Sequence, residues 1–166
     1  MVRSFLDPSL SLDIQGIIAH SLGASAVINC LAKEKPAIDA VLIAPALKLR
    51  ELVYNTFDNQ GLPEIVYRTM IGELETYYGY NMYADNPYKL LKTIPSKIFI
   101  VHDKDDSTTP YRDSKIIAEK LGHVDLLTTE GLGHKNILRN STVISTIQKY
   151  IFDQRVNARK QQHAQI

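Results

Sequence analysis

A serine hydroxyl reacts weakly until a histidine takes its proton, and that histidine needs a carboxylate to fix its tautomer. The candidate serine here is Ser21, in Ala19-His20-Ser21-Leu22-Gly23, between an apolar run at 16–20 and a stretch of helical spacing at 27–33. This order of strand, sharp turn and helix fits the pattern G-x-S-x-G, with alanine in place of the first glycine. Such a turn is strained, and the residues two before and two after the serine are expected to be small because the chain folds back across them. Ala19 and Gly23 meet that demand. The following helix would point its N-terminus at the serine, so the backbone N–H of Leu22 is a candidate donor to an oxyanion. Taken alone, the motif also fits a serine that only caps a helix.

The base and the acid are expected later in the chain. His134 lies in Gly131-Leu132-Gly133-His134-Lys135, after a fourth apolar run, and Asp106 lies in the acidic loop that follows a third. A parallel strand would deliver each of them to the carboxyl edge of a sheet. Asp103 and Asp105 are alternatives for the acid, their simpler role being turn chemistry and solvation. For His134 the simpler role is that of a solvated loop histidine.

Ser21, Asp106 and His134, in that chain order, make the sequence resemble the α/β-hydrolase superfamily from its nucleophile elbow onward. The family's acid commonly falls in a pattern similar to H-G-x-x-D-x-x-V-P, matched here by His102 to Pro110, with Asp103 at the glycine and Thr109 at the valine. The resemblance implies Ser21 as nucleophile, His134 as general base, Asp106 as the orienting acid and Leu22 N–H in the oxyanion hole. It implies hydrolysis of carboxylic esters, thioesters or related acyl compounds, with a small-molecule acyl substrate and no cofactor. It covers about residues 14–152 but only the second half of the family's sheet. In the complete fold several strands precede the elbow, and one of their loops gives a second oxyanion donor. Loss of one such donor can cost roughly 10²–10³ in rate.

These groups need a scaffold. The runs at 16–20, 40–44, 97–102 and 124–128 read as buried strands, and 111–121 and about 142–152 as helices. Continuous apolar strands alternating with helices predict an α/β fold, a parallel sheet of about four strands flanked by helices. Residues 47–93 hold helical pieces without a strong strand and read as a cap-like insertion, the place where substrate choice would be decided. Tyr77, Tyr78, Tyr80 and Tyr83 within it fit packing better than an acyl or aromatic pocket. The expected organisation is a single domain over 1–152 and a polar C-terminal tail over 153–166.

Composition narrows the function. The 166 residues are 45% hydrophobic and 22% charged, as in a soluble globular protein. A formal charge of +1 gives no argument for nucleic acid or an anionic membrane surface. With a single cysteine, no signal peptide and no apolar stretch of membrane-spanning length, the expectation is a soluble cytoplasmic protein. No histidine pair has zinc-ligand spacing, and Gly131-Leu132-Gly133 lacks the third glycine of a dinucleotide loop. His20 and His102 are expected to pack or bond locally, and His123 and His163 to lie at the surface. The strand Gly16 to His20 would present one open edge, which predicts a homo-oligomer through that strand or a fold-over by Met1 to Asp13. The rival to an enzyme is a catalytically weak or inactive half-hydrolase acting as an oligomerising or partner-binding module.

Overall fold

Four short runs of Ile, Val, Leu and Ala form the strands of one sheet: β1 (Ile17–His20), β2 (Ala40–Ile43), β3 (Ile98–Asp103) and β4 (Val124–Thr129). They stand in the order β1-β2-β3-β4 and every neighbouring pair is parallel. This computed structural model describes residues 14–36, 38–79 and 81–163. Met1 to Asp13, invoked above as a cover for β1, and Tyr80 lie outside the described residues.

The apolar runs are continuous because the two central strands are covered on both faces, so side chains of either orientation meet a helix. On one face Ala40, Leu42, Ile98 and Ile100 pack with Ala24, Val27, Ile28 and Leu31 of α1 (Leu22–Glu34) and with Ile117 of α5 (Tyr111–Lys120). On the other, Val41, Ile43, Phe99 and Val101 pack with Val143 and Ile147 of α7 (Ser141–His163). The alternation follows the two-residue period of a strand. Phe99 stacks on Tyr150 with ring centroids 4.4 Å apart.

Between β2 and β3 run α2 (Leu49–Asn59), α3 (Glu64–Tyr78) and the single turn α4 (Pro87–Leu90), with no strand among the described residues. Tyr77 and Tyr78 are 76% and 78% exposed, so neither the expected packing nor an enclosed pocket involves them. Tyr83 instead lies 4.1 Å beneath the Arg50 guanidinium.

The last helix runs further than its sequence suggested. Residues 153–163, read as a frayed end or tail, continue α7 to His163. Loss of the apolar stripe had marked an end, but Gln, Arg, Ala and Lys are good helix formers.

Candidate active site

Ser21 follows β1 directly and precedes the first residue of α1. Its backbone has φ 54° and ψ −123°, a left-handed φ that costs a non-glycine residue on the order of 1–3 kcal/mol. The neighbouring elements impose it. Ser21 N–H donates to the Ile43 carbonyl at 2.9 Å, while its own carbonyl accepts from the amides of Ala24 at 3.1 Å and Ser25 at 3.3 Å. Sheet and helix therefore clamp the turn from both sides. As the first residue of α1, Leu22 has an N–H without an intrahelical partner, free in principle for an oxyanion.

The sequence pattern overstated one demand of this turn. A methyl group at Gly23 would meet no other described atom within 4 Å, apart from its own helix and chain neighbours. Gly23 is not small because the chain crosses it.

His134 sits on the short helix α6 (Gly133–Asn136), after a loop in which Gly131 has φ 76° and Gly133 φ 62°. Side-chain-bearing residues would be strained at both positions, which is why glycine stands there. The loop is pinned by two carboxylates from the end of β3. Asp105 Oδ2 accepts from Gly131 N–H at 2.7 Å, and Asp103 Oδ2 accepts from Leu132 N–H at 3.0 Å and the Thr129 hydroxyl at 2.6 Å. Asp103 Oδ1 takes the Asp105 N–H at 2.9 Å. Burial alone would push the Asp103 carboxyl up, yet hydrogen bonds from Thr129, Gly133, Asp105 and Leu132 outweigh it and hold the group below the usual carboxylate range. Solvation is thus the wrong account of Asp103, which is fully buried; it anchors the loop that carries His134.

Asp106 is the carboxylate that reaches the imidazole. His134 Nδ1 lies 2.7 Å from Asp106 Oδ2, and His134 Nε2 lies 3.0 Å from Ser21 Oγ. A carboxylate only accepts, so Nδ1 carries the proton and Nε2 is left to accept from the serine hydroxyl. Asp106 Oδ1 takes the amides of Thr108 and Thr109, each at 2.8 Å, and Oδ2 also takes the Thr109 hydroxyl at 2.8 Å. Burial raises this carboxyl too, but those bonds and the one from His134 prevail and keep it ionised below its ordinary value. Thr109, which departs from the family's valine, is a polar contact that residue-type reasoning passed over.

Two further histidines adjoin the site. His20 Nε2–H donates to the His134 carbonyl at 3.0 Å, and the two rings lie 4.7 Å apart. His102 is fully buried beside Asp106. Burial lowers its pKa more than Asp106 raises it, so the ring is neutral at pH 7. His123, expected at the surface, is half-buried and donates to the Leu91 carbonyl at 3.1 Å. Among the described residues no cluster of His, Cys, Asp and Glu could hold a metal ion, and no helix is long and apolar enough to cross a membrane.

A parallel sheet with a serine in a strained turn after one strand and loops from the next strands converging on it has the arrangement of the second half of an α/β-hydrolase fold. Residues 82–163 match the family described as TAP-like protein, one of the α/β-hydrolase families. Solved structures agree in fold. An esterase from Pyrococcus furiosus is 20% identical with a TM-score of 0.57, the match covering 83% of this chain and 52% of that one. Est1E from Butyrivibrio proteoclasticus is 16% identical with a TM-score of 0.64, covering 93% of this chain and 68% of that one. A meta-cleavage product hydrolase from Pseudomonas fluorescens is 14% identical with a TM-score of 0.57, covering 90% and 68% respectively. The chain therefore spans about half to two thirds of the length of these structures. No curated protein matches it in sequence.

Proposed function

We propose that this chain carries the catalytic triad of a serine hydrolase acting on carboxylic esters, thioesters or related acyl compounds. The observation that supports it is the hydrogen-bonded series from Ser21 Oγ through His134 to Asp106, at 3.0 and 2.7 Å. In this reading Ser21 Oγ attacks the acyl carbonyl while His134 Nε2 takes the hydroxyl proton. Asp106 stays ionised, holds the Nδ1–H tautomer and stabilises the imidazolium that forms. The oxyanion gathers at Leu22 N–H, at the positive end of α1. His134 then returns the proton to the leaving alcohol or thiol, and water, activated by the same imidazole, releases the acid and restores Ser21. Residues 47–93 would act as a cap over the acyl group, within a single domain.

The test is turnover of a short-chain p-nitrophenyl ester by the purified chain, with Ser21→Ala as control and fluorophosphonate labelling as a second readout. Hydrolysis and labelling that disappear in both S21A and His134→Ala are expected. Labelling that survives H134A, or turnover equal in S21A, would defeat the proposal.

One observation favours a second reading. Among the described residues no strand pairs with the outer edge of β1, and Ile18 and Leu22 beside it are 55% and 58% exposed. An apolar edge with unpaired backbone groups attracts another strand, so the chain would assemble through Gly16 to His20 as a homo-oligomer, with or without turnover. Light scattering decides it: a dimer that Ile18→Lys converts to monomer is expected, and a wild-type monomer would end this reading.

A further inference from the structure

His102 is the penultimate residue of β3, outside the Ser21, His134 and Asp106 series, and no step above uses it. Yet it is fully buried, and each ring nitrogen has a partner. Nδ1 lies 2.7 Å from Ser114 Oγ on α5, and Nε2 lies 3.1 Å from the Thr109 carbonyl oxygen. The same Nε2 is 3.3 Å from Asp106 Oδ2, the oxygen that His134 uses, and 3.3 Å from Thr109 Oγ.

The partners dictate the tautomer. A carbonyl and a carboxylate oxygen can only accept, so Nε2 carries the hydrogen; Nδ1 must then accept, and the Ser114 hydroxyl donates to it. A buried ring in the opposite tautomer would set a bare nitrogen against two acceptors, an arrangement that a low-dielectric interior penalises.

We propose that His102, locked by Ser114, is a positioning residue for the triad: its Nε2–H holds the Asp106–Thr109 turn and tempers the basicity of the Asp106 oxygen that faces His134. The inference rests on the hydrolase reading for its consequence, but its physical content is the state of Asp106 and can be read without turnover. The charged and titratable groups around this pair are few. Asp106, His134 and Tyr111 face His102, the Tyr111 ring edge-on at 5.9 Å, while Asp106 and His20 face His134. Burial holds His102 neutral, so it acts as a fixed dipole and brings no second positive charge to the carboxylate.

The experiment is proton NMR of the His134 Nδ1–H resonance in the full chain, with the pH profile of fluorophosphonate labelling measured alongside. In His102→Phe, Asp106 Oδ2 loses one hydrogen neighbour and becomes a stronger acceptor. The resonance is expected to move downfield, and the acid limb of labelling to move up by about half a pH unit. His102→Gln, whose amide can return an N–H near the Nε2 position, should restore both. Ser114→Ala, which removes a single oxygen and should fold even if H102F does not, should move the resonance the same way by a smaller amount. A resonance unmoved or shifted upfield in H102F or S114A, or an H102Q that behaves as H102F does, would overturn the proposal. Failure of the hydrolase reading looks different: the wild type would not label, while the resonance would still report on His102.

Discussion

Replacing Asp103 by asparagine should damage the chain out of proportion to a change of one atom. The carboxylate accepts the Thr129 hydroxyl, Leu132 N–H and Asp105 N–H at 2.6, 3.0 and 2.9 Å, and it is fully buried. The side-chain amide of the D103N variant keeps only one acceptor oxygen. If that oxygen stays with Thr129 and Leu132, the new NH₂ faces Asp105 N–H and leaves a buried donor unpaired, at about 1–3 kcal/mol. The two remaining bonds lose their charge assistance, together about another 1 kcal/mol. A total near 3 kcal/mol corresponds to a fall in Tm of roughly 6–12 °C for a chain of this size. The measurement is thermal unfolding by circular dichroism of wild type and D103N, repeated down the pH scale. Because the folded carboxyl lies below its ordinary value, its stabilisation is fully present above the unfolded pKa of about 3.9 and is lost as pH falls through the folded pKa. The gap between the two proteins should hold from pH 7 to 5 and close below about pH 4. A Tm difference under about 2 °C at pH 7, or a gap that persists unchanged in acid, would refute the account of Asp103 as loop anchor.

Gly23→Ala should be neutral or stabilising by about 0.5–1 kcal/mol, since the site has room and alanine suits a helix; a clear fall in Tm would show a crowding that the geometry lacks. Thr109→Val keeps the shape but removes the hydroxyl at 2.8 Å from Asp106, and should cost about 1–2 kcal/mol in urea unfolding, with slower labelling; an unchanged midpoint would count against that bond. His102 is held neutral in the fold while the unfolded chain protonates near pH 6.5, so the unfolded state binds more protons as pH drops below about that value. Stability should therefore decline from about pH 6.5 downward, and H102Q should flatten that part of the curve; identical curves would remove His102 from the acid response.

The centre of the sheet was readable because burial on both faces turns β2 and most of β3 into unbroken apolar runs. All four starts and ends lie within a residue or so of where the runs at 16–20, 40–44, 97–102 and 124–128 placed them. The strand, turn and helix around Ser21 were readable for a related reason: a small-residue cluster stands between an apolar run and a stretch of helical spacing. What the residue order could not convey was which polar groups the fold would bury together. Asp103 reads as turn chemistry until Thr129 and Leu132, from another strand end, close over it. His102 and Ser114 are twelve positions apart, and only the docking of α5 on β3 makes them partners. The length of α7 escaped for the opposite reason, because the largely polar residues 153–163 carry no apolar period to follow.

Three aspartates within four residues show how the fold divides one kind of side chain among different tasks. Asp103 gives Oδ2 to Thr129 and the His134 loop and Oδ1 to the Asp105 amide of its own turn, Asp105 gives one oxygen to Gly131, and only Asp106 meets the His134 imidazole. Residue type is the same in all three, so the acid is singled out by the donors that reach each carboxylate. Asp106 holds its turn mainly through Oδ1, which takes two amides, and so Oδ2 is left to the Thr109 hydroxyl and His134, with His102 Nε2 3.3 Å away. The division also separates scaffold from chemistry. Loss of the Asp103 charge should lower stability and disturb the His134 loop together. At Asp106, asparagine can keep the Oδ1 contacts while its NH₂ opposes His134 Nδ1–H, which sets the wrong tautomer and should strike reactivity harder than stability.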